Sequence, residues 1–201
     1  MKNMFVLLLI VVATINAFSQ NVREVRMNVL DAERFALNIE IGQESKIVED
    51  AWSQKTSELK IKGKTSKGLL VYEGTKVLDI HFEAIDLYVK IEKIDKVKSN
   101  FTIAISKGAG NFIGDEDTKI VDNAKRFLIH FSAYCDQYKL KLDIKDLEDQ
   151  IKKAQKEQEK LVDEGKKLEK QLEKNKVDQE NKTKEIQTLQ SSLEQLRTKL
   201  K

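Results

Sequence analysis

The last third of the chain carries the most regular pattern of apolar positions. Between residues 140 and 200, apolar side chains recur at alternating spacings of four and three residues, which is the 3.5-residue period of a coiled-coil seam. No proline occurs in the chain, so nothing in this stretch breaks a helix. The pattern predicts a long coiled-coil helix at 139–201, which we call the stalk. Its interaction seam consists of Leu140, Ile144, Leu147, Ile151, Leu161, Leu168, Leu172, Ile186, Leu189, Leu193, Leu196 and Leu200.

The middle of the seam is less apolar than its two ends. Small or polar side chains hold the same heptad phase there, at Ala154, Gln158, Gly165, Asn175, Gln179 and Lys182. At the two ends, Ile at position a and Leu at position d form the combination that favours two-stranded coils. The seam therefore has two well-formed ends around a weaker centre.

The residues that flank the seam do not form the charge pairs expected of a parallel homodimer. In an in-register parallel homodimer, two flanking pairs join like charges, Asp143–Glu148 and Glu164–Glu169, and no flanking pair joins opposite charges. Three arrangements stay open. The stalk pairs antiparallel or with a different protein, folds back as a hairpin that bends at 175–183, or stands largely alone. The unbroken heptad phase favours a continuous helix over the hairpin.

Residues 20–138, which we call the head, show two shorter periods. Alternation of apolar and polar residues, which is typical of half-buried strands, predicts strands at 34–41, 69–72, 77–82, 87–94 and 101–105. The stretch at 22–30 also alternates, and it either pairs with 34–41 or is a loosely held arm. The strands at 69–72 and 77–82 are expected to form a hairpin. Residues 44–60 and those after 118 change to a three-to-four spacing, which predicts amphipathic helices.

Together these elements predict an α+β fold. Clean alternation indicates an antiparallel sheet with one dry face and one wet face, because a doubly covered parallel sheet shows continuous apolar runs. We expect a two-layer antiparallel sheet with two helices on one face, the second helix continuing into the stalk. Trp52 and Cys135 both lie on apolar helical stripes, so we expect both side chains to be buried in the core.

The N-terminal sequence MKNMFVLLLIVVATINAFSQ has the features of a secretory signal. A basic start precedes an apolar core at 5–13 that is short for a membrane span, and small residues follow at 17 and 19. We expect a cleavable Sec signal at 1–19 with Gln20 as the mature N-terminus; an uncleaved signal anchor is the alternative. The one cysteine, Cys135, lies far from the apolar core, so no lipoprotein anchor is expected. The expected location is periplasmic or secreted, with no integral membrane span after signal removal.

Residues with the potential for chemistry are few, and each has a better structural interpretation. The glycine-rich loop at 108–114 precedes three carboxylates at 115–117, which would repel a phosphate and suit the start of a helix. His81 and His130 have no second ligand at metal-binding spacing. The net charge is +3, without blocks of like charge, so nucleic acid is not an expected partner. The sequence predicts no catalytic, cofactor-binding or metal-binding residue, and hence no enzyme.

The layout resembles a group of uncharacterised exported proteins of Bacteroidota. Three features carry the resemblance: the Ala51-Trp52 pair in the first helix, a strand with Asp86, Tyr88 and Glu92, and the charged coiled-coil tail. The resemblance implies a small α+β head and a C-terminal coiled coil, and no catalytic residue.

The leading functional hypothesis is a non-enzymatic exported envelope protein. It would act as a structural or interaction module through the stalk, by binding a protein partner or by self-association. The alternative is an α+β domain that binds a small molecule or lipid in the space between its sheet and helices, with the stalk as a tether.

Overall fold

The computed structural model describes residues 22–199; the expected signal at 1–19 and the last seam residue, Leu200, lie outside them. The described part contains a six-stranded sheet, in the order β1-β2-β6-β5-β4-β3, in which all neighbours are antiparallel. The strands are β1 (Arg23–Val29), β2 (Ala32–Ile41), β3 (Lys64–Ser66), β4 (Leu69–Thr75), β5 (Ile85–Lys93) and β6 (Ser99–Ser106). The helices are α1 (Ser45–Glu58) and α2 (Thr118–Lys199). The predicted α+β class with a long second helix is confirmed.

The chain forms two compact units, one that ends at Leu142 and one that begins at Asp143. The first unit contains the sheet, α1 and the opening turns of α2. The second contains the remainder of α2.

One face of the sheet packs against both helices. Alternate residues of β2, such as Ile39 and Ile41, are fully buried on this face, as the period of a strand requires. Trp52 of α1 and Phe131 of α2 meet above them, with ring centroids 5.2 Å apart. Each such side chain contributes about 1.5–3 kcal/mol when it is fully removed from water. The prediction that Trp52 belongs to the core is confirmed.

Cys135 lies on the same buried stripe of α2. Its side chain is 0% exposed and forms no disulfide. Burial disfavours the charged thiolate and raises the pKa of the thiol to about 12. The prediction of a buried cysteine is therefore confirmed.

Residues 77–82 do not form the expected strand, and the predicted hairpin is wrong. They form a turn in which the Ile80 amide donates to the Val77 carbonyl at 2.8 Å, and β4 pairs with β5 instead. Val77 and Ile80 are buried while Leu78 and Phe82 are exposed. Because the buried residues are three apart, the apolar run fits a turn and not a strand.

The polar stretch before β4 contains a strand that the sequence does not signal. β3 is three residues long and fully polar, and it pairs with β4 through a tight turn at Lys67 and Gly68. Both turn residues have positive φ, 49° and 78°, a conformation that glycine adopts without strain. This strand was not predicted because it has no apolar face.

The second face of the sheet is also partly buried from solvent. It carries a second buried cluster formed by Met27, Val29, Ala36, Leu69, Val71, Tyr88 and Ala104. Phe112 packs against this cluster, and the Arg34 guanidinium lies 4.7 Å from the centre of the Phe112 ring. Asp31 and Lys67, at the tips of hairpins on opposite edges of the sheet, form an ion pair at 2.7 Å. The sheet therefore curls toward this face, so the predicted division into one dry and one wet face holds for only part of the sheet.

Candidate functional site

The predicted interaction seam lies along α2 with its side chains exposed. Among the described seam residues, the exposed fraction runs from 48% at Ile144 and Leu193 to 68% at Leu161. The structure thus places the described seam residues on one helix with their side chains exposed.

The helix continues without a break through the segment where a hairpin bend was considered. At 175–183 the backbone stays helical. The Gln179 side-chain amide donates to the Asn175 side-chain oxygen at 2.8 Å, and the Thr183 hydroxyl donates to the Gln179 carbonyl at 2.9 Å. The prediction of one continuous helix is confirmed.

The head contains a cavity of about 470 Å³ between α1 and strands β4 and β5, which we call the α1 pocket. Its helical wall is formed by four residues of α1, namely Glu49, Trp52, Ser53 and Thr56. These positions are three and four residues apart and therefore share one face of the helix. A volume of this size lies in the range of ordinary small-molecule sites.

The opposite wall of the α1 pocket is apolar. Leu70 of β4 and Val89 of β5 are paired neighbours in the sheet, and Ile91 and Ile61 extend the same surface. Val89 is fully buried, whereas Leu70, Ile61 and Ile91 are half-buried. The partial exposure of aliphatic side chains around the cavity indicates a recess that is open to solvent and lined by carbon.

Two buried donors of the α1 pocket have acceptors within the protein. The Trp52 indole N–H donates to the Tyr72 hydroxyl at 2.8 Å, and the Thr56 hydroxyl donates to the Ser53 carbonyl at 2.9 Å. Burial raises the pKa of Tyr72 above its ordinary value. The donors of Trp52 and Thr56 are therefore satisfied without a ligand.

Gly63 lets the chain cross closely over the Tyr72 ring. A Cβ atom built at Gly63 would lie 2.4 Å from Cε1 of Tyr72, far inside van der Waals contact. The glycine is therefore required for the ring to occupy its place at the edge of the pocket. Sequence reasoning placed Trp52 in the core and named the space between sheet and helices as an alternative ligand site. It did not identify the residues that line the pocket, because they come from segments about twenty positions apart.

The other residues considered for chemistry are not brought together. His81 lies 3.8 Å from the Glu83 carboxylate in the loop after β4, and His130 is exposed on α2. The carboxylate of Asp117 accepts hydrogen bonds from Lys107 at 2.8 Å and from the Gly114 amide at 3.2 Å. The bond from Lys107 lowers the pKa of Asp117 most strongly. The Asp117 carboxylate therefore stabilises the preceding loop through these hydrogen bonds.

Within residues 22–199, no three His, Cys, Asp or Glu side chains converge as metal ligands would. The same residues include no helix that combines the length and the apolar composition needed to cross a bilayer. No known protein family, curated protein or solved structure matches the chain. Functional inference therefore starts from the geometry of the seam and the α1 pocket.

Proposed function

We propose that this is a non-enzymatic exported envelope protein whose stalk binds an amphipathic helix of a different protein. The observation that carries the proposal is the continuous helix with a seam that is exposed along its whole described length. Burial of each seam Leu or Ile against a partner would contribute up to about 1.5–3 kcal/mol. A lone helix gains none of this free energy, so the seam is a surface that favours pairing.

A second copy of the chain in parallel is a poor partner for the seam. In the in-register arrangement, Lys182 at a d position meets its own copy in the core of the interface. Its ion pair with Glu185 at 2.7 Å is on the same helix, so burial of the two lysines would either break that pair or bring like charges together. The flanking pair Glu164–Glu169 joins like charges on both sides of the dimer. Both features disfavour a parallel twin.

An antiparallel homodimer is disfavoured by a different set of residues. Asp143, Glu157, Glu164, Asp178 and Glu185 occupy g positions, and we call them the acidic edge. In a fully overlapping antiparallel pair, g positions face g positions, so Glu157 meets Glu185 and Glu164 meets Asp178. Symmetry repeats each of these contacts. The apolar ends of the two seams would pack against each other, but the residues of the two acidic edges would repel.

The same charges define a better partner. A helix with its own Ile/Leu seam, lysine or arginine opposite the acidic edge, and a carboxylate opposite Lys182 would convert each repulsion into an attraction. The flanking residues select such a partner, and the apolar seam supplies the free energy. Export of the protein is supported by the signal-like N-terminus and by the resemblance to exported Bacteroidota proteins; this location is part of the proposal.

Light scattering of the chain without residues 1–19 gives the first test. At micromolar concentration we expect a monomer, because both homomeric arrangements bring like charges together. A stable dimer at that concentration would overturn the choice of a different partner, although the seam would still be the surface to examine.

A pair of synthetic helices gives the second test. The first carries an Ile/Leu seam, lysines opposite the acidic edge and glutamate opposite Lys182; the control peptide has glutamates in place of those lysines. We expect the lysine peptide to bind the chain at least about tenfold more tightly, a difference of about 1.4 kcal/mol.

Variants of the full chain locate that binding. The double substitution Leu189→Asn and Leu193→Asn places amides in the seam and should abolish binding of the lysine peptide. Val177→Asn is the matched control, because Val177 lies at an outer heptad position of the same helix. An equal loss of peptide binding in the double variant and in the control, or equal affinity of the chain for the two peptides, would contradict the proposed surface.

A further inference from the structure

The α1 pocket combines an apolar interior with one carboxylate, and this combination specifies a class of ligand. We propose that the α1 pocket binds a small amphiphile that has an extended apolar body and a protonated amine at one end. This site lies in the head and is independent of the partner proposed for the stalk.

The strand side of the pocket is apolar, with Leu70, Val89 and Ile91 in its lining. On the helix side, the Trp52 indole N–H already donates to Tyr72, and the Thr56 hydroxyl already donates to the Ser53 carbonyl. A polar group placed against the apolar side would lose its water without gaining a partner, whereas an apolar body gains free energy in proportion to the apolar area that it removes from water. The interior therefore favours an aliphatic chain or ring.

The charge comes from Glu49. Among the described residues that line the pocket, Glu49 is the one with a carboxylate. Lys46 forms its ion pair with the neighbouring Asp50, at 2.8 Å, and attracts Glu49 as a second, weaker charge. The adjacent carboxylates thus differ, since Asp50 is held in an ion pair on the surface and Glu49 lines a cavity. A cationic group on the ligand complements Glu49.

The shape of the site follows from the helix. Glu49 and Thr56 are two helical turns apart, which corresponds to about 10 Å along α1 at 1.5 Å per residue. The carboxylate is therefore at one end of the helical wall, and apolar residues of β4 and β5 complete the lining. This arrangement fits a molecule that is longer than it is wide, with its charged group at one end.

Three test ligands with the same tail separate the contributions of body and charge: n-octylamine, n-octanol and octanoate. Trp52 is the single tryptophan of the chain and lines the pocket, so its fluorescence reports occupancy. We expect saturable binding in the order octylamine, octanol, octanoate. Because Glu49 is exposed, the preference for amine over carboxylate should be about fivefold. This preference should diminish as salt is added.

Two pairs of variants give matched controls. E49Q should remove the preference for octylamine and leave octanol binding unchanged, whereas D50N should keep the preference. S53L fills the cavity and should weaken all three ligands, whereas S57L adds the same bulk to α1 outside the lining and should not. Thermal unfolding of S53L and S57L shows whether each variant is folded.

Nuclear Overhauser contacts between the octylamine methylenes and the Trp52 indole protons test the site in the unaltered chain. Their presence with saturable, Glu49-dependent amine preference supports the proposal. Non-saturable binding, absence of these contacts, or binding that S53L does not weaken would overturn the site. Equal binding of amine and carboxylate would overturn the ligand class. None of these outcomes depends on the stalk, so they leave the proposal for its partner untouched.

Discussion

Helix α2 contains two regions with similar apolar spacing and opposite surroundings. In the first, Leu128 is fully buried; in the second, Leu161 is 68% exposed. The apolar stripe of the first region packs against the sheet and α1, whereas the apolar seam of the second region is exposed. An apolar stripe with helical period therefore predicts a contact, but it does not specify whether that contact comes from the same chain or from another molecule.

Thiol chemistry should give the largest difference between the two regions. Cys135 is buried with a pKa of about 12, so it reacts only when the head opens, at an expected free energy of several kcal/mol. We expect labelling of Cys135 by a thiol reagent to be at least about a thousandfold slower than labelling of a second cysteine introduced as L161C. Mass spectrometry resolves the two sites. Rapid labelling of Cys135 in the native chain would contradict its burial.

Truncation of one apolar side chain in each region should change the free energy of unfolding by very different amounts in the core and in the seam. Phe131 contacts the rings of Trp52 and Phe101 at 5.2 and 4.5 Å, and F131A should lower the free energy of unfolding by about 3–5 kcal/mol. L161A should change it by less than about 0.5 kcal/mol, because the side chain is exposed. Urea unfolding followed by Trp52 fluorescence and by circular dichroism measures both. A large effect of L161A would mean that the seam is already covered in the isolated protein.

The two regions also differ in whether a glycine can be replaced by a residue with a side chain. At Gly63 an added Cβ meets the Tyr72 ring at 2.4 Å, whereas at Gly165 it meets nothing within 4 Å. G63A should destabilise the head by about 1–3 kcal/mol through overpacking. G165A should stabilise the helix by up to about 1 kcal/mol, since alanine favours helices. Thermal unfolding followed by circular dichroism checks both, and a stabilising G63A would contradict the close contact with Tyr72.

The smallest effect should be a pH dependence confined to the head. The Tyr134 hydroxyl donates to the Glu58 carboxylate at 2.7 Å and lowers the pKa of Glu58 below its ordinary value of 4.5. A lowered folded-state pKa contributes stability above the unfolded pKa, and this stability is lost as pH falls through the folded value. Y134F should therefore reduce the loss of stability below about pH 4.5. Urea midpoints of both proteins from neutral to acid pH check the difference, and parallel curves would contradict it.

Local periodicity was enough to predict most of the secondary structure. β1, β2, β5, β6 and the two helices follow from alternation or three-to-four spacing that lies wholly within each segment. It failed where the sequence pattern is short or ambiguous. The apolar run at 77–82 forms a turn, and the polar strand β3 exists only because β4 offers it hydrogen bonds.

The two candidate sites differ in the same way. The seam is a property of one helix, so its residues could be read from heptad phase. The α1 pocket depends on Tyr72 lying against Trp52, and on Gly63 allowing the chain to pass over that ring. Such contacts between distant segments leave no period in the sequence. Only the identity of Trp52 as a core residue was predictable there.

The short strand β3 has a further consequence for how the protein behaves at high concentration. An edge strand presents unpaired backbone groups that can recruit strands from other molecules. β3 covers the edge of β4 with Lys64, Thr65 and Ser66, and the Lys64 ammonium pairs with Glu73 at 2.9 Å. On this side the sheet therefore ends in three polar residues, which is the kind of border that prevents fibril-like growth while the chain remains folded.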